Sequence, residues 1–253
     1  MIPDRVPIVC MALGTSYPTV YVTRLFNMLT RHMPVPFDLT CVTDRRRRLP
    51  REIRTIDARA WAMDREGMRV TTNKLRLFDA AIFPGEFLYF DTTLVIHKDM
   101  GPLLEYAFSR PEELVVVRDW NYDCYNTCVM RIRGGGRLGT IYERFREGRE
   151  YPRKNPGDQD FVTACVRDEH LEGEVATFLP EHVVSYRNAR RTIRTNVEAA
   201  RAELESGIVV KFFAQPKMHQ LLSPYYRWKK GRKSPDARQD LQFWLPELRD
   251  RWR

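Results

Sequence analysis

The sequence predicts an α/β fold: a single domain with a mostly parallel central sheet flanked by helices, plus a basic C-terminal helical appendage. Over the first half of the chain, short apolar runs alternate with segments of helical pattern, which is typical of a parallel sheet with crossover helices. The 253 residues suffice for one sizeable core, and they contain no internal repeat or low-complexity linker. We therefore predict one domain over residues 1–222 and a basic, aromatic-rich extension over residues 223–253.

The first predicted elements are two strands and the helix between them. Residues 7–13 (PIVCMAL) form a short, nearly continuous apolar run, as expected for a strand buried on both faces, and Phe37–Thr43 (FDLTCVT) is the next predicted strand. Gly14 and the three residues after it end the first run. Pro18 then suits the first turn of a helix that we expect to reach about residue 31.

The remaining elements continue this alternation. Residues 87–91 (FLYFD) form another apolar run, which ends in Asp91 and is followed by two threonines. The other predicted strands cover residues 53–58, 114–117, 129–132 and 208–213, and the other predicted helices cover residues 73–80, 139–147, 158–166 and 236–248. Ligands of open α/β sheets bind at the carboxyl ends of strands. We therefore expect a site among residues 14–17, 43–44, 91–93 and 213–219.

The net charge of +9 is concentrated at the C-terminal end of the chain. Residues 225–253 hold nine Lys or Arg against four Asp or Glu, with six aromatic residues interleaved. A basic surface of this kind attracts polyanions such as nucleic acid, anionic lipid or acidic glycan. A solvated helical face has the same composition, so both interpretations stay open.

Cysteine use and hydropathy predict a cytoplasmic protein, with peripheral binding to a membrane surface as an alternative. The five cysteines are scattered and include no Cys-x-x-Cys pair, which argues against a disulfide framework or a zinc ribbon. No apolar run approaches the roughly 18 residues needed to cross a membrane. The N-terminal residues also lack the pattern of a secretory signal.

Asp91 is the first candidate site residue. An apolar strand that runs into a carboxylate and then two hydroxyls brings oxygen atoms to the edge of the sheet. Mn²⁺ and Mg²⁺ prefer oxygen ligands and bridge phosphates. An aspartate at the end of a strand also caps turns through its side chain, so a structural role is the alternative.

Two further polar segments are candidates for chemistry. Asp158, Gln159 and Asp160 stand at an expected helix N-terminus, where they would hold sugar hydroxyls or stabilise positive charge at an anomeric carbon. Asp is also favoured at such positions simply as a helix cap. Lys217 and His219 follow the last predicted strand, where they would neutralise the charge of a leaving diphosphate.

Other classes of site are not indicated. The sequence has no Gly-x-Ser-x-Gly motif, and its five histidines are scattered, which argues against a hydrolase triad. No Gly-x-Gly-x-x-Gly follows the first strand, so a Rossmann dinucleotide site is not expected. The three glycines at 134–136 lack the following lysine of a P-loop, and we predict a surface turn there.

Seven short motifs follow one another along the chain. They are the loop after the first strand (residues 12–17), Thr43-Asp44, a Lys-Leu-x-Leu-Phe helix (residues 74–78), a strand ending in Tyr89-Phe-Asp91 with Thr93 after it, Asn126-Thr-Cys-Val-Met130, Gly-Asp-Gln-Asp (residues 157–160) and a closing loop (residues 212–218). In this order they resemble the bacterial glycosyltransferases related to family 8. The resemblance covers roughly residues 7–220.

The resemblance implies a GT-A fold and an enzyme that transfers a sugar from a nucleotide-sugar donor, most often UDP-linked, often with retention of configuration. It implies that Asp91 lies at a metal ion and the donor ribose, and that Lys217 contacts the diphosphate. Asn126 and Asp158 would lie near the donor sugar, and Gln159 beneath its anomeric carbon. The catalytic group is then Asp158, Gln159 and Asp160, and the other donor-binding residues are Gly14, Thr15, Tyr17, Asp44, Lys74 and Thr93.

The resemblance also implies Mn²⁺ or Mg²⁺ at the donor diphosphate, but two expected ligands are replaced. Thr93 stands where the second Asp of an Asp-x-Asp motif belongs, and Phe213 stands in place of a histidine. Three explanations stay open: a cation held by Asp91 and His219 with donor phosphates and water; metal-independent transfer, with Lys217, Lys74 or an arginine supplying the positive charge; or a non-catalytic binder of sugar nucleotides or glycans. The intact residues 158–160 favour an enzyme.

The acceptor has two interpretations. A cell-surface or lipid-linked glycan would suit a basic aromatic extension that rests on an anionic membrane, where Trp and Tyr favour the interface. A modified base in DNA, as for a phage-type enzyme, would also call for a basic groove and a flipped base. A pure nucleic-acid-binding module is the hypothesis from another class, although the sequence carries no helix-turn-helix, zinc-finger or ribonucleoprotein signature.

Overall fold

The chain divides into two compact units in the computed structural model, which describes residues 1–61, 70–151, 157–213, 215–233 and 242–253. The first unit comprises Met1–Val22, Val35–Asp91 and Leu103–Phe178, and the second comprises Thr23–Pro34, Thr92–Pro102 and Leu179–Arg253. The boundary that we predict between residues 222 and 223 falls inside the second unit, and it stays a prediction.

The first unit is built on a seven-stranded sheet. The strands that the structure describes are β1 (Val6–Ala12), β2 (Phe37–Thr43), β3 (Arg54–Asp57), β4 (Glu86–Asp91), β5 (Leu94–Ile96), β6 (Leu114–Arg118), β7 (Tyr125–Arg133), β8 (Val175–Thr177), β9 (Val183–Ser185) and β10 (Val209–Lys211). The order in the large sheet is β3-β2-β1-β4-β7-β6-β8. Only β7 runs antiparallel to its neighbours, β4 and β6. The predicted mostly parallel sheet is therefore confirmed.

The register of the central strands aligns their carboxyl ends at one edge of this sheet. β1 lies between β2 and β4, with Ala12 opposite Thr43 and Met11 opposite Asp91. Because β7 is antiparallel to β4, with Val129 opposite Phe90, the first residues of β7 reach the same edge. The predicted site segments of the first unit therefore follow strands that end together.

Helices contribute to the core of the first unit. The described α-helices that begin before residue 170 are α1 (Val20–His32), α2 (Gly101–Ser109), α3 (Thr140–Arg146) and α4 (Asp158–Asp168), of which residues 23–32 of α1 and the first two residues of α2 belong to the second unit. Of residues 73–80, predicted as an amphipathic helix, residues 73–78 belong instead to a 3₁₀ helix over Val70–Phe78, whose first residues include the β-branched Val70 and Thr71 that disfavour an α-helix. Its Leu75 and Leu77 are fully buried in the core together with Phe161 of α4.

The second unit contains a small sheet of its own. β10 lies between β5, to which it is antiparallel, and β9, to which it is parallel. It covers Val209–Lys211 and is shorter than the predicted strand over residues 208–213. The later helices with described bounds are α5 (Tyr186–Thr192), α6 (Val197–Ser206), α7 (Met218–Leu222), α8 (Pro224–Gly231) and a final helix, Leu245–Arg251.

The structure tests only residues 242–248 of the predicted helix over residues 236–248. Its first residues lie outside the described part of the chain, and the helix described there is Leu245–Arg251, which extends three residues beyond the predicted end. Among the helices that the structure describes, none combines the length and the hydrophobicity needed to cross a bilayer.

Aromatic side chains form the core of the second unit. The rings of Tyr186 and Phe212 stack with centroids 4.2 Å apart, and the rings of Phe212 and Trp244 have centroids 6.3 Å apart with planes inclined by 27°. The main-chain N–H of Phe212 also donates to the carbonyl of Thr93 at 2.9 Å. These contacts fix the start of the segment that carries Phe213 and Lys217.

Candidate active site

Asp91 ends β4 at the sheet edge where the carboxyl ends of the parallel strands meet. Its Oδ1 accepts a hydrogen bond from the Tyr89 hydroxyl at 2.9 Å and lies 2.8 Å from Nζ of Lys74. Burial and then the Asp91 carboxylate raise the pKa of Tyr89, so this hydroxyl keeps its proton and stays a donor. The side chain of Asp91 is held from two sides and remains 18% exposed.

Lys74 links Asp91 to the start of α4. Its Nζ lies 3.3 Å from Oδ2 of Asp158 and donates to Oγ1 of Thr127 at 3.3 Å. The Thr127 hydroxyl donates in turn to the same Oδ2. These four polar side chains come from the 3₁₀ helix, β4, β7 and α4, so they connect separate elements of the first unit at one point.

The environment of Lys74 keeps its ammonium charged. Burial alone would lower the pKa of Lys74, but Asp158 and then Asp91 outweigh the cost of burial and hold that pKa above its ordinary value. The ammonium is therefore a fixed positive charge that positions two carboxyl groups. Lys74 was expected from the resemblance, and the structure adds that it bridges Asp91 and Asp158.

Asn126, at the beginning of β7, is buried and held in one orientation. Its Nδ2 donates to Oδ2 of Asp119 at 2.7 Å, and its Oδ1 accepts from the main-chain N–H of Cys128 at 3.2 Å. Asp119 also accepts from the main-chain N–H of Asn121. Sequence reasoning did not predict this role for Asp119, which only its position before β7 could have suggested.

The predicted catalytic residues occupy the first turn of α4. Gly157 precedes the helix with extended backbone, Asp158 is buried against Lys74, and Gln159 and Asp160 are half-buried. The hydroxyl of Thr163 donates to the Gln159 carbonyl at 2.8 Å and accepts from the main-chain N–H of Tyr125 at 2.9 Å, so α4 is anchored to the start of β7.

The loop after β1 meets the end of β2, as the motif order predicts. Gly14 has a φ of +66°, a conformation that favours glycine, and its N–H donates to Oδ2 of Asp44 at 2.9 Å. Partial burial would raise the pKa of Asp44, but Arg45 and the N–H of Gly14 outweigh it and lower that pKa. Thr15 is exposed, and the half-buried Tyr17 makes an edge contact with Tyr21.

Arg47 organises this loop and was not singled out from the sequence. Its guanidinium donates to the carbonyls of Ala12 (2.9 Å), Gly14 (3.0 Å) and Tyr17 (3.0 Å), and to Oγ1 of Thr43 (2.9 Å). It lies in a run of four arginines, and nothing in that pattern distinguishes the one that turns inward from its exposed neighbours.

Thr93 and Phe213, the two positions where the resemblance implies metal-binding residues, belong to the second unit. Oγ1 of Thr93 accepts a hydrogen bond from Nζ of Lys211 at 2.6 Å, and both residues are buried. The guanidinium of Arg187 lies over the ring of Phe213, 5.3 Å from its centroid. Lys211 was missed at the sequence level, where a lysine in the run Ile-Val-Val-Lys-Phe-Phe is its only signal.

Lys217 and His219 belong to the same unit. Lys217 is half-buried at the start of α7, and its main-chain N–H donates to Oε1 of Gln220 at 2.8 Å. Partial burial and then Lys217 lower the pKa of His219, which favours the neutral imidazole. Asp91 belongs to the first unit, so the predicted metal pair of Asp91 and His219 stays a prediction.

The donor atoms at these positions do not fit a protein-held Mn²⁺ or Mg²⁺. Phe213 has no atom that coordinates a cation, and the Thr93 hydroxyl accepts from an ammonium group. Within the described residues, no three or more His, Cys, Asp or Glu side chains are grouped as a metal site. Of the three ligand positions that the resemblance implies, Asp91 alone has a carboxylate.

Comparisons by sequence find no matching family model and no matching curated protein. Comparison by structure finds many similar chains. The glycosyltransferase GlyE of Streptococcus pneumoniae TIGR4 is 13% identical with a TM-score of 0.60, over 96% of this chain and 64% of GlyE. The bifunctional glycosyltransferase WbbM in its apo form is 13% identical with a TM-score of 0.59, over 97% of this chain and 51% of WbbM.

A third similar structure is closer in length to this chain. The galactosyltransferase LgtC, solved in complex with donor and acceptor sugar analogs, is 12% identical with a TM-score of 0.54, over 96% of this chain and 95% of LgtC. At such low identity these likenesses show the fold, and they confirm the predicted GT-A fold. This chain spans about two thirds of GlyE and half of WbbM.

Proposed function

We propose that this protein is a glycosyltransferase that moves a sugar from a nucleotide-sugar donor, UDP-linked, to an acceptor hydroxyl. The observation that carries the proposal is the bridge that Lys74 makes between Asp91 and Asp158 at the carboxyl edge of a GT-A sheet. Open α/β sheets bind ligands at this edge. The cluster gathers three of the residues that the motif order implies for donor binding and catalysis.

The proposed reaction exchanges one bond at the anomeric carbon of the donor sugar. The bond from this carbon to the diphosphate oxygen breaks, a bond to the acceptor oxygen forms, the proton of the acceptor hydroxyl passes to the departing diphosphate, and the nucleoside diphosphate leaves. Positive charge grows on the sugar and negative charge on the leaving group as the first bond breaks. Preorganised charges and dipoles that match this separation lower the barrier.

Each residue then has a part in this scheme. Asp91 contacts the donor ribose, Asn126 and Asp158 orient the sugar hydroxyls, and the Gln159 amide lies beneath the anomeric carbon. Asp158 and Asn126 suit the positioning of a substrate because both are buried and held by hydrogen bonds or ion pairs. We assign to Lys217 of the second unit a contact with the diphosphate.

The proposal is tested by ligand-dependent stabilisation of the purified protein. Melting temperatures are measured with UDP-, GDP- and dTDP-sugars, each in Mn²⁺ and in EDTA, because a bound donor stabilises the folded state by mass action. We expect a UDP-sugar to raise the melting temperature and to be hydrolysed slowly to UDP and free sugar. The glycosyltransferase proposal fails if no nucleotide sugar has an effect in either condition.

A matched pair of substitutions at the two ends of α4 separates this site from general effects. Asp158→Asn removes the carboxylate that lies against Lys74, and we expect it to abolish hydrolysis of the donor. Asp168→Asn makes the same chemical change at the other end of the helix, in an exposed ion pair with Arg149, and should leave hydrolysis unchanged. Equal hydrolysis by both variants would contradict the role of Asp158.

The acceptor surface that we favour is one face of α8, within the proposed extension of residues 223–253. Tyr225 and Trp228 are 65% and 59% exposed, lie one helical turn apart, and have ring centroids 6.2 Å apart. Lys229 lies over the first ring at 5.8 Å and Arg232 over the second at 5.1 Å. Exposed aromatic rings flanked by cations suit the interface of an anionic membrane.

This face supports a lipid-linked or cell-surface glycan as the acceptor, with the protein bound peripherally to the membrane. We expect the protein to float with vesicles of phosphatidylcholine and phosphatidylserine, and we expect Trp228→Ala to reduce flotation more than Arg249→Ala on the final helix. A modified base in DNA is the alternative acceptor. Tight, salt-sensitive DNA binding without flotation, followed by transfer to DNA, would replace the glycan proposal.

A non-catalytic sugar-nucleotide binder is the remaining alternative. It would show donor-dependent stabilisation that Asp158→Asn reduces, yet no hydrolysis and no transfer to any acceptor. A non-catalytic nucleic-acid-binding protein would instead show salt-sensitive DNA binding without stabilisation by any nucleotide sugar. The measurements above distinguish these outcomes because binding and turnover are followed separately.

A further inference from the structure

The ammonium group of Lys211 lies at the second position of the Asp-x-Asp motif. Thr93 replaces the carboxylate there, and its Oγ1 accepts from Nζ of Lys211 at 2.6 Å. Lys211 is the last residue of β10, directly before the segment that carries Phe213 and Lys217. Where the motif has a carboxylate that holds a metal ion, this chain thus has the Thr93 hydroxyl, which is hydrogen-bonded to the ammonium group of Lys211.

The other replaced position is also next to a cation. Phe213 stands where a histidine ligand is expected, and the guanidinium of Arg187 lies 5.3 Å from the centre of its ring. Arg187 is exposed in the first turn of α5. Both substitutions in the second unit therefore coincide with a positively charged side chain, and each contact is independent of the other.

The positive charges of Lys211 and Arg187 make the positions of Thr93 and Phe213 favour an anion over a metal cation. Like charges repel over several ångströms in the partly desolvated interior of a protein, so an ammonium beside Thr93 disfavours a divalent cation at this position. Phosphate oxygens, in contrast, form strong charge-assisted hydrogen bonds with ammonium and guanidinium groups. The chemistry of the second unit thus suits a diphosphate without a metal ion.

We infer that Lys211 and Arg187 bind the donor diphosphate in place of a divalent cation, so that donor binding does not depend on Mn²⁺ or Mg²⁺. The inference rests on the proposed function, which it makes more specific. When the bond to the anomeric carbon breaks, the leaving nucleoside diphosphate gains negative charge, and the two cations stabilise it where a metal ion would otherwise do so. No metal ion enters or leaves in this reaction.

The test measures the affinity of the whole protein for UDP by isothermal titration calorimetry, in EDTA and in Mn²⁺. We expect the wild type to bind UDP with similar affinity in both buffers. Lys211→Met and Arg187→Gln should each weaken binding in EDTA by about 10-fold or more, the size expected for a charge-assisted hydrogen bond. Lys211→Arg, which keeps the charge, should retain part of the affinity.

Two controls keep the result interpretable. Arg191→Gln removes another exposed arginine from the last turn of α5 and should leave the affinity unchanged. Because Arg187 is exposed, Arg187→Gln is expected to fold even if the buried Lys211→Met does not. Circular dichroism checks the fold of each variant before titration.

The outcomes separate this inference from the proposed function. UDP binding by the wild type in Mn²⁺ but not in EDTA would overturn the inference and leave the glycosyltransferase proposal standing. Binding in EDTA that neither Arg187→Gln nor a folded Lys211 variant weakens would also overturn it. Absence of binding to UDP and to every UDP-sugar in both buffers would instead count against the UDP-sugar glycosyltransferase proposal itself.

Discussion

The Lys74 ammonium lies 2.8 Å from Oδ1 of Asp91 and 3.3 Å from Oδ2 of Asp158. Lys74 is in the 3₁₀ helix before β4, and the two carboxyl groups are at the end of β4 and the start of α4. One buried cation thus sets the positions of the two acidic residues that the proposed reaction requires. The arrangement couples the stability of the first unit to the geometry of its site.

Removal of this cation is expected to destabilise the protein strongly. Lys74→Met leaves Asp91 and Asp158 without their shared partner in a buried environment, and the loss of one member of a buried ion pair costs about 3–5 kcal/mol. The free energy of unfolding is measured by urea denaturation. The control, Arg5→Met, breaks the exposed pair with Asp38 and should cost less than about 1 kcal/mol. Equal costs would contradict the structural role of Lys74.

Arg47 is expected to control the loop after β1. Arg47→Met removes four hydrogen bonds from this loop and from Thr43, and we expect a loss of about 2–3 kcal/mol in the free energy of unfolding. Donor-dependent stabilisation should fall as well, because the loop carries the predicted donor-binding residues Gly14 and Tyr17.

The neighbouring Arg46 is a matched control for this prediction. It is exposed in the same arginine run, so Arg46→Met should change the stability by no more than about 0.5 kcal/mol. Arg47→Lys keeps the charge but lacks the planar fork that reaches several carbonyls at once, and should fall between wild type and Arg47→Met. Similar effects of Arg46→Met and Arg47→Met would reject the assignment.

The sequence predicts the sheet better than it predicts the second unit, for a physical reason. β2 has the predicted bounds and β4 begins one residue early. Residues 87–90 of β4 are buried on both faces and leave a continuous apolar run, and β2 is marked by the buried residues of its second half. In contrast, β5 and β9 of the second unit have three residues each, too few for any periodicity to stand out.

The same contrast holds for the candidate site. Asp91, Lys74 and Asp158 come together as expected because the order of motifs fixes which strand ends and which helix begins at the edge. Arg47 and Lys211 could not be found in this way, since a side chain that turns inward leaves no mark on the local pattern. Their contacts depend on backbone carbonyls and a hydroxyl that only the folded chain brings within reach.

The stability of the second unit is expected to fall in mild acid because of His97. Burial and then Arg251 lower the pKa of His97 to about 4, against about 6.5 in an unfolded chain. The unfolded state therefore binds more protons between these values, so this contribution is complete above pH 6.5 and is lost as the pH falls towards 4. The loss is at most about 3 kcal/mol for a shift of this size.

The variant His97→Gln tests this prediction. It removes the titrating ring that lies 2.8 Å from Nη1 of Arg251, so the difference in unfolding free energy between pH 7 and pH 4.5 should become smaller than in the wild type. Urea denaturation at the two pH values measures it. An unchanged difference would show that other groups cause the acid sensitivity.

Gln159 is expected to act on turnover rather than on donor binding. It stands in the first turn of α4 beside the buried Asp158, where the residue is half-buried and its main-chain carbonyl accepts a hydrogen bond from the Thr163 hydroxyl. Loss of a dipole that acts mainly on the transition state costs about 10²–10³ in rate. Gln159→Ala should therefore reduce the rate of UDP-sugar hydrolysis by this factor while the thermal shift caused by the donor persists.

The control is Arg167→Gln, which breaks an exposed ion pair near the other end of α4 and should change neither the hydrolysis rate nor the thermal shift. A Gln159→Ala variant that loses donor binding and turnover together would assign Gln159 to ground-state binding instead.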